Sequence, residues 1–259
     1  MTERASVVFI GAGPGAADLI TVRGARLLAE AEVVLHDALT DPALRALAPQ
    51  ARWVDVGKRG FGHATGQDAI NVLLLDAARR HRHVVRLKGG DPSVFGRLEE
   101  ELAALHEQGI GCEVVPGVSA ALAAAADTRR PLTRRGNGRS VSLTTAMTQL
   151  GVLHATRTAD TEVFYMAGRQ LAALSGKLLE AGWPADTPAS VVSRAGWPDA
   201  RCTDHTVATL ADAGAPHAGR PAVVTVGAGA MPVGSSPADA GAKTPGTERP
   251  HGGAQGPAA

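Results

Sequence analysis

The chain has 259 residues, of which 44% are hydrophobic and 20% are charged, as in a folded protein with one large or two modest domains. A net charge of +1 creates no long-range basic field, and 3% aromatic residues are too few for a base-stacking surface, so the composition argues against a nucleic-acid partner. The longest apolar stretch, Ala120–Ala126, is too short to cross a bilayer, and the N-terminus shows no signal-peptide pattern. We therefore expect a cytoplasmic protein with no membrane partner.

Short β-branched runs alternate with amphipathic segments through the first half of the chain. The predicted strands are Val7–Ile10, Val33–His36, Trp53–Val56, Val84–Leu87 and Glu113–Val115, and the predicted helices are Gln67–Arg80, Arg97–Gln108 and one that begins at Val22 with Asp18 and Thr21 as candidate caps. This alternation predicts an α/β fold with a mainly parallel sheet and helices on its faces. We assign residues 1–127 to this N-terminal domain.

A basic, turn-rich segment at residues 128–139 interrupts this alternation and is predicted to link two domains. The strands predicted beyond it are Val141–Thr144, Val163–Met166, Ser190–Ser193 and Ala222–Val226, with a helix at Gln170–Ala181. They predict a smaller, mixed α/β C-terminal domain over residues 140–231. Residues 232–259 consist largely of Pro, Gly, Ala and polar residues, so we expect a disordered tail there.

Glycine turns follow three of the N-terminal strands: GAGPGA at 11–16, KGGDP at 88–92 and PGVSA at 116–120. Gly11, Gly13 and Ala16 match the G-x-G-x-x-G/A pattern of dinucleotide sites. Pro14 opposes that interpretation because it removes a backbone N–H from the turn, and the helix caps also come late. Since parallel strands end at the same edge of a sheet, the three turns together predict a backbone-lined pocket for a small molecule. An NAD-dependent oxidoreductase remains an alternative at this point.

Four segments occur in an order that matches a known family: GAGPGAADLIT, VGKRGFGHATGQDAIN, RLKGGDPSVFGR and VPGVSA. Over about Val7–Gly227 the chain resembles the tetrapyrrole methylase family, most closely the branch that methylates uroporphyrinogen III at carbon. The resemblance implies the two-domain tetrapyrrole methylase fold, a homodimer, and S-adenosylmethionine as methyl donor, released as S-adenosylhomocysteine. It also implies transfer of two methyl groups to ring carbons to give precorrin-2, a reaction of cobalamin or sirohaem biosynthesis.

The family pattern also implies the site residues. The methyl donor would lie between the two domains, against Pro14, Gly89, Gly90, Asp91, Val94, Ser119, Ala120, Met166 and Ala195. From the sequence alone, Met166 could equally be a core residue. The pattern places a catalytic acid–base pair on Asp37 and Lys58, for which a helix cap and a surface charge are the alternatives.

The expected substrate carries eight carboxylates, which cationic side chains would bind. We predict this role for Arg59, His63, Arg97, Arg130 and Arg134. Arg86 and Lys88 lie near the same glycine turns and are further candidates. The basic residues of the interdomain segment could instead form a solvated face.

Several short segments depart from the family pattern: RLEEE at 97–101, PLTRRG at 131–136, TAM at 145–147, FYMA at 164–167 and SRAG at 193–196. Most lie in the linker and the second domain, which would shape the tetrapyrrole side of the site. A methylase of a later corrin precursor and a non-catalytic tetrapyrrole-binding paralogue therefore remain alternatives. Neither the nine histidines nor the two cysteines show metal-ligand spacing, and we expect no metal.

Overall fold

Two five-stranded sheets organise the chain in the computed structural model, which describes residues 7–57, 66–146 and 152–234. Three predicted site residues, Lys58, Arg59 and His63, lie outside the described residues. Most of the predicted disordered tail, from residue 235 onward, lies outside them as well. Within the described part, no helix is long and apolar enough to span a bilayer.

The first sheet is entirely parallel. Its strands are β1 (Val7–Gly11), β2 (Val33–His36), β3 (Arg52–Asp55), β4 (Val84–Lys88) and β5 (Cys112–Val115), in the order β3-β2-β4-β1-β5. The strands β2, β4, β1 and β5 are therefore consecutive neighbours, and their carboxyl ends meet along one edge. This edge carries all three predicted glycine turns.

Four α-helices accompany the first sheet: α1 (Val22–Ala29), α2 (Gln67–Arg80), α3 (Leu98–Glu107) and α4 (Ala120–Thr128). The Thr21 hydroxyl accepts a hydrogen bond from the Gly24 amide at 3.1 Å, which confirms Thr21 as the cap of α1. On α2, Ile70, Leu74 and Ala77 share one buried face at helical spacing. That face packs against the sheet in one of its two apolar clusters, so hydrophobic burial fixes the helix in place.

The second sheet is mixed. Its strands are β6 (Val141–Thr145), β7 (Thr161–Tyr165), β8 (Pro188–Ser193), β9 (Arg201–Thr206) and β10 (Ala222–Gly227), in the order β6-β7-β10-β8-β9. Only β6 and β7 pair in parallel, and the other pairings are antiparallel. The helix α5 (Leu171–Glu180) buries Leu174 and Leu178 in this sheet's core. The predicted combination of a parallel sheet and a mixed α/β sheet is confirmed.

The structure adds one strand and one α-helix that the sequence patterns did not predict. The strand β9 is an edge strand with the exposed sequence RCTDHT, so it lacks the apolar alternation by which a strand is recognised. The helix α4 consists mainly of alanine and buries Ala121, Ala123 and Ala124 against Val163 and Val192 of the second sheet. It therefore joins the two halves of the molecule.

The two cysteines lie far apart on the outer strands. Cys112 is on β5, at one edge of the first sheet, and Cys202 is on β9, at one edge of the second. Both are free and exposed. Burial of the thiol region nevertheless raises the pKa of each above its ordinary value.

Candidate active site

The turns after β1 and β4 are joined directly. Gly13 donates to the Gly90 carbonyl at 3.3 Å, and Gly90 donates to the Gly13 carbonyl at 2.8 Å. Both glycines have positive φ, +80° and +70°, a conformation that L side chains rarely adopt. The glycines of GAGPG and KGGDP thus shape two turns that hold each other.

The turn after β5 closes onto the other two. A Cβ on Gly117 would lie 2.3 Å from the Gly90 carbonyl oxygen, and one on Gly11 would lie 2.5 Å from the Gly117 Cα. Asp91 strengthens this contact because its Oδ2 accepts from the Gly117 amide at 2.8 Å and its Oδ1 accepts from the Ser93 amide at 2.8 Å. The predicted meeting of the three turns is confirmed. We call this edge, residues 11–16, 88–92 and 116–120, the glycine rim.

Two residues of the glycine rim face open space. Among the described residues, a Cβ on Gly89 would meet only Leu39, at 3.5 Å, and one on Gly90 only the Val118 carbonyl oxygen, at 4.0 Å. Close backbone packing behind the rim and free space at these two positions form a cradle that a ligand could approach. Val94, half-buried, continues this turn and donates its amide to the Asp91 carbonyl at 3.2 Å.

Tyr165, at the end of β7, connects the second domain to the glycine rim. Its hydroxyl lies 2.6 Å from the Ser119 Oγ and accepts from the Ala121 amide at 3.3 Å. Its ring packs on Phe95, with 5.0 Å between the ring centroids. These contacts hold the end of β7 against the rim at Ser119, beside Ala120; both residues are predicted to contact the methyl donor.

Met166 follows Tyr165 and lies outside the core. It has a φ of +59° and is 56% exposed, so the core interpretation of this residue is wrong. Ala195, the other predicted contact from the second domain, is 5% exposed and packs with apolar residues of α4. Contacts of Met166 and Ala195 with the methyl donor remain predictions.

The segment after β8 is hydrogen-bonded to the first glycine turn. The Ala16 amide donates to the Gly196 carbonyl at 2.8 Å, and the Trp197 indole N–H donates to the Pro14 carbonyl at 3.0 Å. A Cβ on Gly15 would lie 2.4 Å from the Gly196 carbonyl carbon. The Pro14 carbonyl therefore accepts a hydrogen bond from the second domain. A contact between Pro14 and the methyl donor would involve its ring or its other backbone atoms.

Four charged side chains gather below the rim, and we call them the charge cluster: Asp37, Arg86, Lys88 and Glu101. Arg86 and Lys88, candidates for binding substrate carboxylates, are each only 2% exposed and bind Glu101 instead, so that expectation is wrong. Burial, followed by the neighbouring Arg86 charge, lowers the pKa of Lys88.

Asp37 lies where β2 ends, on the rim side of the charge cluster. Its Oδ1 accepts from Arg86 Nη2 at 2.6 Å, its Oδ2 faces the Gly89 amide at 3.4 Å, and its side chain is 31% exposed. The helix-cap alternative for Asp37 is wrong, because Asp41 caps the following 3-10 turn through the Ala43 amide. Asp37 is thus a carboxylate held by a cation, open on one side and next to the cradle.

The three predicted substrate-binding arginines that the structure describes have partners within the protein. Arg97 is 55% exposed and binds Glu100 through two hydrogen bonds of 2.6 and 2.7 Å. Arg130 binds Asp204 on β9 and the Ala230 carbonyl, while Arg134 donates to the Met231 carbonyl. Substrate binding by these arginines remains a prediction. For Arg130 and Arg134, it would require their hydrogen bonds to Asp204 and to the Ala230 and Met231 carbonyls to break.

Sequence reasoning missed Glu101 and Tyr165. A signal for Glu101 was present, because it lies on the same helical face of α3 as Leu98, Leu102 and Leu105, where a charge is unexpected. Tyr165 is the chain's only tyrosine and directly precedes the predicted contact Met166. Among the described residues, no three His, Cys, Asp or Glu side chains gather as metal ligands would.

The fold and the site define a class: two α/β sheets that meet at a rim of glycine turns. The profile of the tetrapyrrole (corrin/porphyrin) methylases matches residues 6–211, and the chain belongs to this family. A uroporphyrinogen-III C-methyltransferase of Pseudomonas aeruginosa is 42% identical over 226 residues, covering 85% of this chain and 92% of that one. A siroheme synthase of Chromobacterium violaceum is 43% identical, but the chain spans only 50% of its length.

Solved structures agree with this assignment. A uroporphyrin-III C-methyl transferase from Thermus thermophilus, complexed with S-adenyl homocysteine, has a TM-score of 0.75 and 37% identity, covering 85% of this chain and 96% of that one. A cobalt precorrin-4 methyltransferase has a TM-score of 0.76 and 32% identity, covering 87% and 96%. The interpretation of the first glycine turn as part of an NAD-dependent oxidoreductase is therefore wrong.

Proposed function

We propose that this protein is an S-adenosylmethionine-dependent C-methyltransferase that methylates two ring carbons of uroporphyrinogen III to give precorrin-2. The observation that carries the proposal is the 42% identity to a uroporphyrinogen-III C-methyltransferase over nearly the full length of both chains. The structural relative that was solved with S-adenyl homocysteine supports the choice of methyl donor. We further propose that the protein acts as a cytoplasmic homodimer, as the family resemblance implies.

The cradle fits such a methyl donor. The open backbone at Gly89 and Gly90 can approach a nucleoside closely; Ser119 and Ala120 would border it from the same rim and Met166 from the second domain. S-adenosylmethionine, when bound, supplies a methyl group on a positively charged sulfur. Backbone carbonyl dipoles at the rim suit that cation, and the nearest described cations, Arg86 and Lys88, are paired with Glu101.

Asp37 is the residue of the described chain best placed to act as a base. The new bond forms between a ring carbon and the methyl carbon while the methyl–sulfur bond breaks, and the macrocycle must then release a proton. Asp37 would take up that proton, since Arg86 fixes its carboxylate in place and the 31% exposed side chain lies beside Gly89. Lys58 is proposed as its acid–base partner from the family pattern alone.

A methylase of a later corrin precursor is the second candidate. The 32% identity and TM-score of 0.76 to a cobalt precorrin-4 methyltransferase favour it, as do the departures from the family pattern in the linker and second domain. Two added methyl groups would separate the first candidate from enzymes that add one group to a different ring.

The decisive experiment supplies S-adenosylmethionine and uroporphyrinogen III and measures the product mass. We expect two added methyl groups and release of S-adenosylhomocysteine. A mass gain with a later precursor alone would favour the second candidate, and binding of a tetrapyrrole without transfer would favour the non-catalytic paralogue. Thermal denaturation provides an independent measure, since S-adenosylhomocysteine should raise Tm and NAD should not.

A further inference from the structure

We propose that Glu101 is a positioning residue for Asp37, acting through Arg86 and Lys88; this inference rests on the function proposed above. Glu101 touches no open part of the cleft, because it is 0% exposed on the buried face of α3. Its role must therefore be exerted on other residues of the chain.

Both oxygens of Glu101 are fully engaged. Oε1 accepts from Arg86 Nε at 3.2 Å, from Arg86 Nη2 at 3.1 Å and from Gln67 Nε2 at 3.3 Å, while Oε2 accepts from Lys88 Nζ at 2.9 Å. The carboxylate thus ties α3 to α2 and to β4. One buried carboxylate thus forms ion pairs with two buried cations.

Arg86 transmits this constraint to Asp37. Besides its two bonds to Glu101, its Nη1 donates to the Leu35 and Leu87 carbonyls at 3.4 and 3.3 Å, and its Nη2 donates to Asp37 at 2.6 Å. A guanidinium has five N–H groups, and these five contacts use them all. Arg86 therefore cannot turn toward a substrate carboxylate. Its fixed guanidinium also fixes the position of the Asp37 carboxylate that it binds.

Glu101 also determines whether Arg86 or Lys88 binds Asp37. The charge cluster contains two cations and two carboxylates, and Lys88 is as deeply buried as Arg86. If Glu101 lost its charge, both cations would have Asp37 as the remaining carboxylate of the cluster. The carboxylate of Asp37 would then be drawn inward from the rim, away from the side on which the substrate must lie.

The first test compares Glu101→Gln with Glu99→Gln, a change at an exposed position of the same helix. Turnover is divided by the number of sites that bind S-adenosylhomocysteine in calorimetry, so that misfolded molecules are not counted. We expect kcat per binding site to fall by about 100-fold in Glu101→Gln, as a displaced reacting group commonly causes, with the Kd for S-adenosylhomocysteine unchanged. Glu99→Gln should match the wild type.

A merely structural role for Glu101 would lower Tm and the number of binding sites but leave kcat per site unchanged. That outcome would overturn the proposal. A crystal structure gives a readout without turnover: the Asp37 Oδ1–Arg86 Nη2 contact, 2.6 Å in the native protein, should be rearranged in Glu101→Gln.

Two further variants decide the matter if Glu101→Gln does not fold. Lys88→Met leaves two carboxylates to share Arg86, whereas Lys88→Met combined with Glu101→Gln restores one cation to one carboxylate. We expect the double variant to lose far less than about 100-fold in kcat per binding site relative to Lys88→Met, because no second cation remains to draw Asp37 inward, and a loss of about 100-fold would overturn the proposal. Absence of methyl transfer by the wild-type protein would instead contradict the proposed function, and with it a role for Glu101 in that reaction.

Discussion

At the scale of single residues, Asp37 combines two properties that rarely coincide. It is bound to a buried guanidinium at 2.6 Å, yet almost a third of its side chain is exposed beside the cradle. Its two oxygens accept from Arg86 and from the Gly89 amide, so the exposed part of the carboxylate lies beside the glycine rim. A fixed position combined with solvent access is what a base in the proposed reaction requires.

We predict that Asp37→Asn lowers kcat by about 100-fold, because an amide of similar shape cannot accept the substrate proton. The Kd for S-adenosylhomocysteine should stay near that of the wild type, since the change leaves the glycine cradle intact. Mass analysis of product and calorimetry measure the two quantities. Asp76→Asn, at an exposed position of α2, is the matched control, and wild-type turnover in Asp37→Asn would remove Asp37 from the mechanism.

A second residue-scale prediction concerns Gly117, where the glycine rim has no room. We expect Gly117→Ala to reduce the free energy of unfolding by about 3 kcal/mol, because its Cβ would meet the Gly90 carbonyl oxygen at 2.3 Å and neither backbone can yield cheaply. Chemical denaturation measures the change. Gly176→Ala, in α5 with nothing within 4 Å of its Cβ, should instead be neutral or stabilising. Equal stabilities of the two variants would contradict this account.

At the scale of elements, the end of β7 is the point where the second sheet reaches the glycine rim. We predict that Tyr165→Phe weakens S-adenosylhomocysteine binding by roughly 2- to 10-fold, the usual range for one lost hydrogen bond, because the Ser119 contact at 2.6 Å disappears. Calorimetry with Tyr165→Phe, Ser119→Ala and the double variant tests this. The two effects should not add, and full additivity would show that the hydroxyls act independently.

The sequence predicted the elements of the first sheet well because continuous β-branched runs and glycine turns are local signals. It did not predict β9 and α4, because both depend on tertiary contacts. An edge strand needs no apolar alternation, and an alanine-rich helix is stabilised by the residues that pack against it. The same applies to the site. The motifs located Asp37 and Gly89, whereas the burial of Lys88 against Glu101 depends on the tertiary placement of α3.

At the scale of the whole molecule, stability depends on pH through His217, a fully buried histidine of the second domain. Its ring nitrogens lie 2.8 Å from Ser193 Oγ and 2.9 Å from Thr203 Oγ1. Burial, reinforced by the charges of His205, Arg220 and Arg201, lowers the pKa of His217 to about 4. The unfolded chain therefore binds this proton more readily than the native protein does.

We predict that the free energy of unfolding contributed by neutral His217 is present above about pH 6.5 and is lost as the pH falls to about 4, a loss of about 3 kcal/mol. Urea denaturation across this range measures it. His217→Gln should flatten the dependence, while His154→Gln, at an exposed position, should retain it. A pH dependence unchanged in His217→Gln would assign the effect to other groups.

The two exposed thiols have a practical consequence. Cys112 lies on an outer strand of one sheet and Cys202 on an outer strand of the other, and they are the chain's only cysteines. Spin labels or a fluorophore pair can therefore be attached to the unaltered protein, one on each half. The distance between the labels, followed as S-adenosylhomocysteine is added, reports whether the two walls of the cleft move together or stay fixed.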